Sequence, residues 1–211
     1  MDKRMALSLP PRVRELLSFR QLSWVQRYNL VRIQKKQSDA EHMYYVAILA
    51  LLISDEINNM VYYPDHKDKK AKTKIKIDTE KVLVKSLMHD AGEHVTGDSF
   101  FGLHEFFPGL KDVENDFVKS ICGKKGHLLR KYTKFMTDGG RDRSPEWKVV
   151  KMADHLEAYL FCGEEILLGN AFALVPYKNA RKLCLGHVEE SPWLETQLVK
   201  DILDTQFDLA I

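Results

Sequence analysis

Four residues of metal-ligand type interrupt apolar helical patterns: His42, the adjacent pair His89 and Asp90, and Asp154. Taken singly, each has an ordinary explanation as a cap, a surface group or a satisfied core residue. Together they supply two imidazoles and two carboxylates from separate helices, a mixed nitrogen and oxygen set suited to a borderline divalent transition metal. Two neutral imidazoles and two carboxylates balance the charge of such an ion and leave coordination positions for a water and a phosphate oxygen. A metal held in this way can act as a Lewis acid and lower the pKa of a bound water, chemistry that can hydrolyse a phosphoester among other substrates.

These residues need helices to position them. The prolines stand at 10, 11, 64, 108, 145, 176 and 192, and the stretches between them have helical rather than alternating periodicity, which predicts an all-α fold. Asp39 is expected to cap a helix whose apolar stripe is Met43, Val46, Ala47, Ala50, Leu51, Ile53 and Ile57. Asp78 and Thr79 are expected to start a second helix, with Val82, Leu83, Ser86, Leu87 and Asp90 on one side, ending near Gly97. That reading puts Glu93 on the face shared by His89 and Asp90. Ser144 and Pro145 have the cap and first-turn signature of a third helix, running through Met152, Ala153, Leu156 and Leu160 toward Gly169. Weaker amphipathic stretches at Arg12 to Arg20, Leu110 to Ile121 and Trp193 to Phe207 bring the expectation to about seven to nine helices in a single domain.

The order of residues around the four ligand types is more specific than any one of them. Arg27-Tyr28 precedes His42, His-Asp-Ala-Gly-Glu-His-Val-Thr-Gly-Asp spans 89–98, and Val-Lys-Met-Ala-Asp spans 150–154. This pattern resembles the HD-domain metal phosphohydrolases. Within them it is most similar to the small bacterial 5′-deoxynucleotidases of the YfbR-like group and the related phage deoxynucleoside triphosphate hydrolases. The resemblance runs from about Leu22 to Gly169. It implies one HD domain over 1–211, with a motif-bearing core at about 22–170 and C-terminal helices in 171–211.

The resemblance also implies roles. His42, His89, Asp90 and Asp154 would hold one divalent metal, which could be Co, Mn, Zn or Fe. Glu93 would orient the attacking water or relay its proton, and Asp98, after the Thr96-Gly97 turn, would assist at the nucleophile or leaving oxygen. Arg27 would clamp the phosphate, Lys151 would be a second cation, and Thr96 would contribute to the substrate pocket. Tyr28 stands where the related deoxynucleotidases usually carry tryptophan, a ring that packs against the sugar and excludes a 2′-hydroxyl. Leu30 is expected on the base-facing wall. The implied reaction is hydrolysis of a 2′-deoxynucleoside monophosphate to deoxynucleoside and orthophosphate, by a homodimer. The alternatives are release of triphosphate from a dNTP, for which Lys111, Lys124, Lys125 and Arg130 are available cations, and a noncatalytic nucleotide sensor.

Composition agrees with a packed globular domain: 45% of residues are hydrophobic and 29% charged, with a formal charge of +2. So small a charge predicts neither a nucleic-acid nor a membrane partner. The six lysines between Tyr62 and Asp78 read as a solvated connection, with an electrostatic funnel for an anionic ligand as the alternative. Cys122, Cys162 and Cys184 form no C-x-x-C pair, which fits reduced thiols. The longest apolar stretch, Tyr44 to Ile53, is about half of the roughly 20 residues that a spanning helix requires. No apolar signal core precedes Pro10, so the expected compartment is the cytoplasm.

Overall fold

The computed structural model describes residues 9–29, 31–60, 74–97, 107, 109–137 and 142–207. The all-α expectation holds: the described residues form helices without a strand, apart from one isolated antiparallel bridge between Gln26 and Ser38. The helices are α1 (Pro11–Phe19), α2 (Asp39–Asn59), α3 (Thr79–Ser86), α4 (Glu93–Thr96), α5 (Leu110–Cys122), α6 (Thr133–Thr137), α7 (Pro145–Leu167), α8 (Leu174–Glu190) and α9 (Gln197–Asp204). The chain forms two compact units, one of Met1–Leu30, Lys36–Glu41 and Met88–Arg141, the other of Val31–Lys35, His42–Leu87 and Asp142–Ile211.

The second unit contains the larger core. Along α2, Val46, Ala50, Ile53 and Ile57 recur at helical spacing and are buried against Val149, Val150, Met152, Ala153 and Leu156 of α7. Local chemistry starts α7 where the sequence predicts. The Ser144 hydroxyl accepts the Trp147 N–H at 3.2 Å, Pro145 occupies the first turn, and Gly169 takes the left-handed conformation (φ 84°) just beyond the helix. Asp78 caps α3 by accepting the Lys81 N–H. Lys85, at the other end of α3, is buried and donates to Asp142 and to the Ser144 hydroxyl, which joins α3 to the start of α7.

The last described residues close over the same core. The Tyr159 hydroxyl donates to the Thr205 carbonyl at 2.6 Å, and the Phe207 ring lies so close to Gly163 that an added Cβ would meet it at 2.7 Å. Only glycine fits there. The smaller first unit packs α5 on α6 and α4, with Val118, Cys122 and Met136 buried.

Three local expectations are corrected. Ser38, not Asp39, caps α2: its hydroxyl accepts the Glu41 N–H, while the Glu41 carboxylate accepts both the Ser38 N–H and hydroxyl at 2.8 Å. This is a capping box, and it frees Asp39 for another role. The second predicted helix does not reach Gly97. It ends at Ser86, and the Ala91 and Glu93 N–H groups bond back three residues, to the Met88 and Asp90 carbonyls, in tight turns. His89 and Asp90 therefore lie in a turn, Glu93 opens α4, and Leu87 is exposed rather than buried. Finally, α8 contains Pro176, but in its first turn, where a missing N–H breaks no intrahelical bond.

Candidate metal centre

In the second unit, α2 and α7 bring His42 and Asp154 together. His42 is fully buried, with Nε2 3.1 Å from Asp154 Oδ1 and Nδ1 2.5 Å from Glu157 Oε2. Both ring nitrogens face carboxylates, which only accept; with the ring proton on Nδ1, toward the closer Glu157, the Nε2 lone pair faces the Asp154 oxygen. Two acceptors facing one another at that distance repel unless a proton or a cation lies between them. The donor set thus suits a metal, and the carboxylate behind the imidazole is the arrangement that orients metal-binding histidines. Lys151 Nζ donates to the other Asp154 oxygen at 2.6 Å, one turn earlier on α7, and lies 5.5 Å from the centre of the Trp147 ring. It holds Asp154 in orientation.

In the first unit, the 88–92 turn presents His89 and Asp90, with His89 Nε2 3.2 Å from Asp90 Oδ2. Arg27 donates to that same Asp90 oxygen at 3.1 Å, and its guanidinium is 3.8 Å from Asp39 Oδ1. The Arg27 N–H bonds the Gln37 carbonyl at 2.9 Å, beside the Gln26–Ser38 bridge, which fixes the start of the arginine side chain. Tyr28 follows in the left-handed conformation (φ 59°), with the Arg27 guanidinium 5.9 Å from its ring centre. A non-glycine residue there is strained, and such strain tends to collect at functional sites.

Asp39 and Glu93 complete this acidic group. Asp39 is completely buried in the first turn of α2. Burial pushes the Glu93 carboxyl up to about 11, helped by repulsion from Asp90 and Asp39 and by a hydrogen bond with Asp39, while Arg27 opposes the rise. Glu93 Oε2 is buried without a hydrogen-bond partner among the described residues. Three acids around one guanidinium leave negative charge that a cation would relieve.

Within each unit the structure therefore gathers residues that the sequence singles out: His42, Asp154 and Lys151 in one, Arg27, Tyr28, His89, Asp90 and Glu93 in the other. Leu30 and Asp98 lie outside the described residues. Thr96 is the last residue of α4, before Gly97 at φ 78°. Two neighbours were not singled out, Glu157 as a partner of His42 and Asp39 as a partner of Arg27 and Glu93. A signal for both was present, because each lies three residues from a ligand type on the same helix, Asp39 before His42 and Glu157 after Asp154. His94 has an ordinary structural role, donating from Nδ1 to the Ala91 carbonyl at 2.7 Å and stacking on Phe19. Burial lowers its pKa.

The chain is similar to known proteins in sequence and in fold. Residues 16–202 match the family model described as 5′-deoxynucleotidase YfbR-like. A 5′-deoxynucleotidase of Pectobacterium atrosepticum is 26% identical over 187 residues, covering 84% of this chain and 86% of that protein. One of Photorhabdus temperata is 25% identical over 183 residues, covering 84% and 87%. Among solved structures, an HD-domain phosphohydrolase of Listeria innocua superposes with a TM-score of 0.72 at 18% identity, covering 92% of this chain and 90% of that one. The HD phosphohydrolase of cyanophage S-2L, solved with dA and one catalytic Zn²⁺, superposes at 0.55 with 21% identity, covering 90% and 92%. These two likenesses are of fold.

Proposed function

The chain belongs to the YfbR-like 5′-deoxynucleotidase family, and on that premise we propose that His42, His89, Asp90 and Asp154 of its one HD domain jointly hold a single divalent transition metal. The protein is a metal-dependent phosphohydrolase that converts a 2′-deoxynucleoside monophosphate and water into deoxynucleoside and orthophosphate. The observation that carries this reading is the buried His42, whose Nε2 lone pair faces an Asp154 oxygen while Glu157 occupies its other nitrogen. The catalytic Zn²⁺ of the cyanophage relative supports a metal of this class without fixing which one is native.

When bound, the metal supplies Lewis acidity toward the phosphoryl oxygens and a water of lowered pKa. The chain's residues do the remaining work. Glu157 keeps the His42 ring in one tautomer, and Lys151 keeps the Asp154 carboxylate turned. Arg27 balances Asp90 and Asp39 and is the guanidinium assigned to clamp the phosphate. Glu93, with Asp98 beyond it, orients the water and relays its proton to the leaving 5′-oxygen, so no covalent intermediate with the enzyme is needed. By the family resemblance, Tyr28 would pack on the sugar and Thr96 and Leu30 would contribute to the substrate pocket.

Phosphate release tests the reading, using dNMPs, dNTPs and the matching ribonucleotides with Co²⁺ or Mn²⁺, beside Asp90→Ala. Orthophosphate from dNMPs is expected, with none from the variant. Intact triphosphate from a dNTP would move the assignment to the alternative reaction, which the relatives' names do not favour. Binding without any turnover would leave the sensor.

A homodimer in the cytoplasm fits the surface and the thiols. Tyr44, Tyr45, Ile48 and Leu52 form an exposed apolar stripe on α2, a face suited to a second copy. All three cysteines are free and buried, as reduced thiols would be. Among the described residues, no helix is long and apolar enough to cross a membrane. Sedimentation giving the mass of one chain would remove the dimer.

A further inference from the structure

We propose that the first unit carries a second anion site, which binds a compact polyphosphate between α1 and the turn that follows α5. A shallow, largely open depression of about 550 Å³ is lined by Arg12, Gly126, His127, Leu128, Arg130 and Lys131. Its volume falls in the usual range for small-molecule sites. The site is local in sequence and convergent in space. The stretch 117–137 contains Lys119, Lys124, Lys125, Arg130, Lys131 and Lys134 and no acidic residue, and α1 adds Arg12 from the other end of the chain.

The lining is held by specific contacts. Glu15, one turn after Arg12 on α1, accepts the Leu128 N–H at 3.1 Å and ties the helix to the turn. Gly126 makes that turn at φ 90°, which favours glycine. The Leu129 N–H donates to His127 Nδ1 at 3.2 Å, so the ring proton resides on Nε2, a donor. Among the described residues, no carboxylate pairs with Arg12, Arg130 or Lys131. Two arginines, a lysine and a histidine lining one depression offer donors for several phosphate oxygens on one small ligand. Cations gathered at one depression rather than along a groove favour a triphosphate tail, free or on a nucleotide, over the extended backbone of a nucleic acid. None of its residues belongs to the metal centre, so the site stands whether or not that centre does its assigned chemistry.

Calorimetric titration of the full chain in metal-free buffer, where tripolyphosphate has no ion to sequester, tests the proposal. Tripolyphosphate is expected to bind once per chain, with salt-sensitive affinity at least about tenfold tighter than orthophosphate. Arg130→Glu with Lys131→Glu, and separately Arg12→Ala on the other element, are each expected to lower that affinity about tenfold, while Lys200→Glu leaves it unchanged. These side chains are exposed, and circular dichroism checks that the variants fold. Tighter binding of dATP, lost in the same variants, would identify a nucleotide as the source, whereas equal binding of dATP and tripolyphosphate would identify the phosphate chain alone. Affinity unchanged in both sets of variants overturns the site. So does orthophosphate binding as tightly as tripolyphosphate, or an oligothymidine outcompeting it, which would make the surface a nucleic-acid contact.

Discussion

Glu157 and His42, separated by 115 positions in the chain, meet at 2.5 Å in the interior of the second unit. The carboxylate accepts the Nδ1 proton, which commits the imidazole to offering Nε2 toward Asp154. Removing that partner leaves the ring free to take the other tautomer or to turn. Glu157→Ala is therefore expected to weaken metal affinity by about 10–100-fold, measured by competition with a chelating dye. Glu157→Gln, whose amide oxygen still accepts the proton, is expected to lose less. Equal affinity in the wild type and the alanine variant would exclude this orienting role.

Glu165 gives a prediction about acid stability. Its buried carboxylate accepts the Gln34 and Lys35 N–H groups, each at 2.7 Å, and the Asn170 side-chain amide at 2.6 Å. Burial alone would raise its pKa, but these bonds prevail and hold it below the ordinary value of 4.5. A depressed carboxyl stabilises the fold above the unfolded-state pKa, and the contribution fades as pH falls through the lower folded value. Glu165→Gln should cost about 1–2 kcal/mol at pH near 7, because Gln34 and Lys35 are exposed enough for water to replace part of what is lost. The difference from wild type should shrink in acid. Urea midpoints across pH measure it, and a constant difference would count against the linkage.

The capping box at the start of α2 is a test of local structure. Ser38→Ala removes the acceptor for the Glu41 N–H and one donor to the Glu41 carboxylate. The expected loss is about 1 kcal/mol, within the usual range for caps. Asp39→Ala should behave differently. It removes a neighbour of Arg27 and Glu93, so its effect should appear in catalysis beyond any change in the urea midpoint.

Tyr28 separates strain from recognition. A left-handed tyrosine costs about 1 kcal/mol relative to glycine, so Tyr28→Gly should leave stability unchanged or slightly higher. If the ring packs on the sugar, the same variant should lose preference for deoxynucleotides over ribonucleotides, read as a ratio of kcat/KM values. A ratio that does not move would exclude Tyr28 as the sugar gate.

The sequence alone determined what depends on neighbours along the chain. Asp78 and Ser144-Pro145 start helices because a side chain three residues away satisfies an end N–H, and the stripe from Met43 to Ile57 is buried because its spacing leaves one apolar face. The His-Asp and Val-Lys-Met-Ala-Asp segments also identified the family. Other features required the folded chain. The periodicity through Val82 to Asp90 continues past Ser86, so nothing local marks the tight turns that place His89 and Asp90 outside a helix. Ser38 and Glu41 carry the local pattern of a capping box that leaves Asp39 unused as a cap, but only the folded chain brings Arg27 to it. Glu157 looks like a surface acid until the fold brings the His42 imidazole of α2 to its carboxylate. Caps and stripes are set by interactions over three or four residues, whereas tautomers, ion pairs and raised carboxyl pKa values are set by groups that tertiary packing brings from distant parts of the chain.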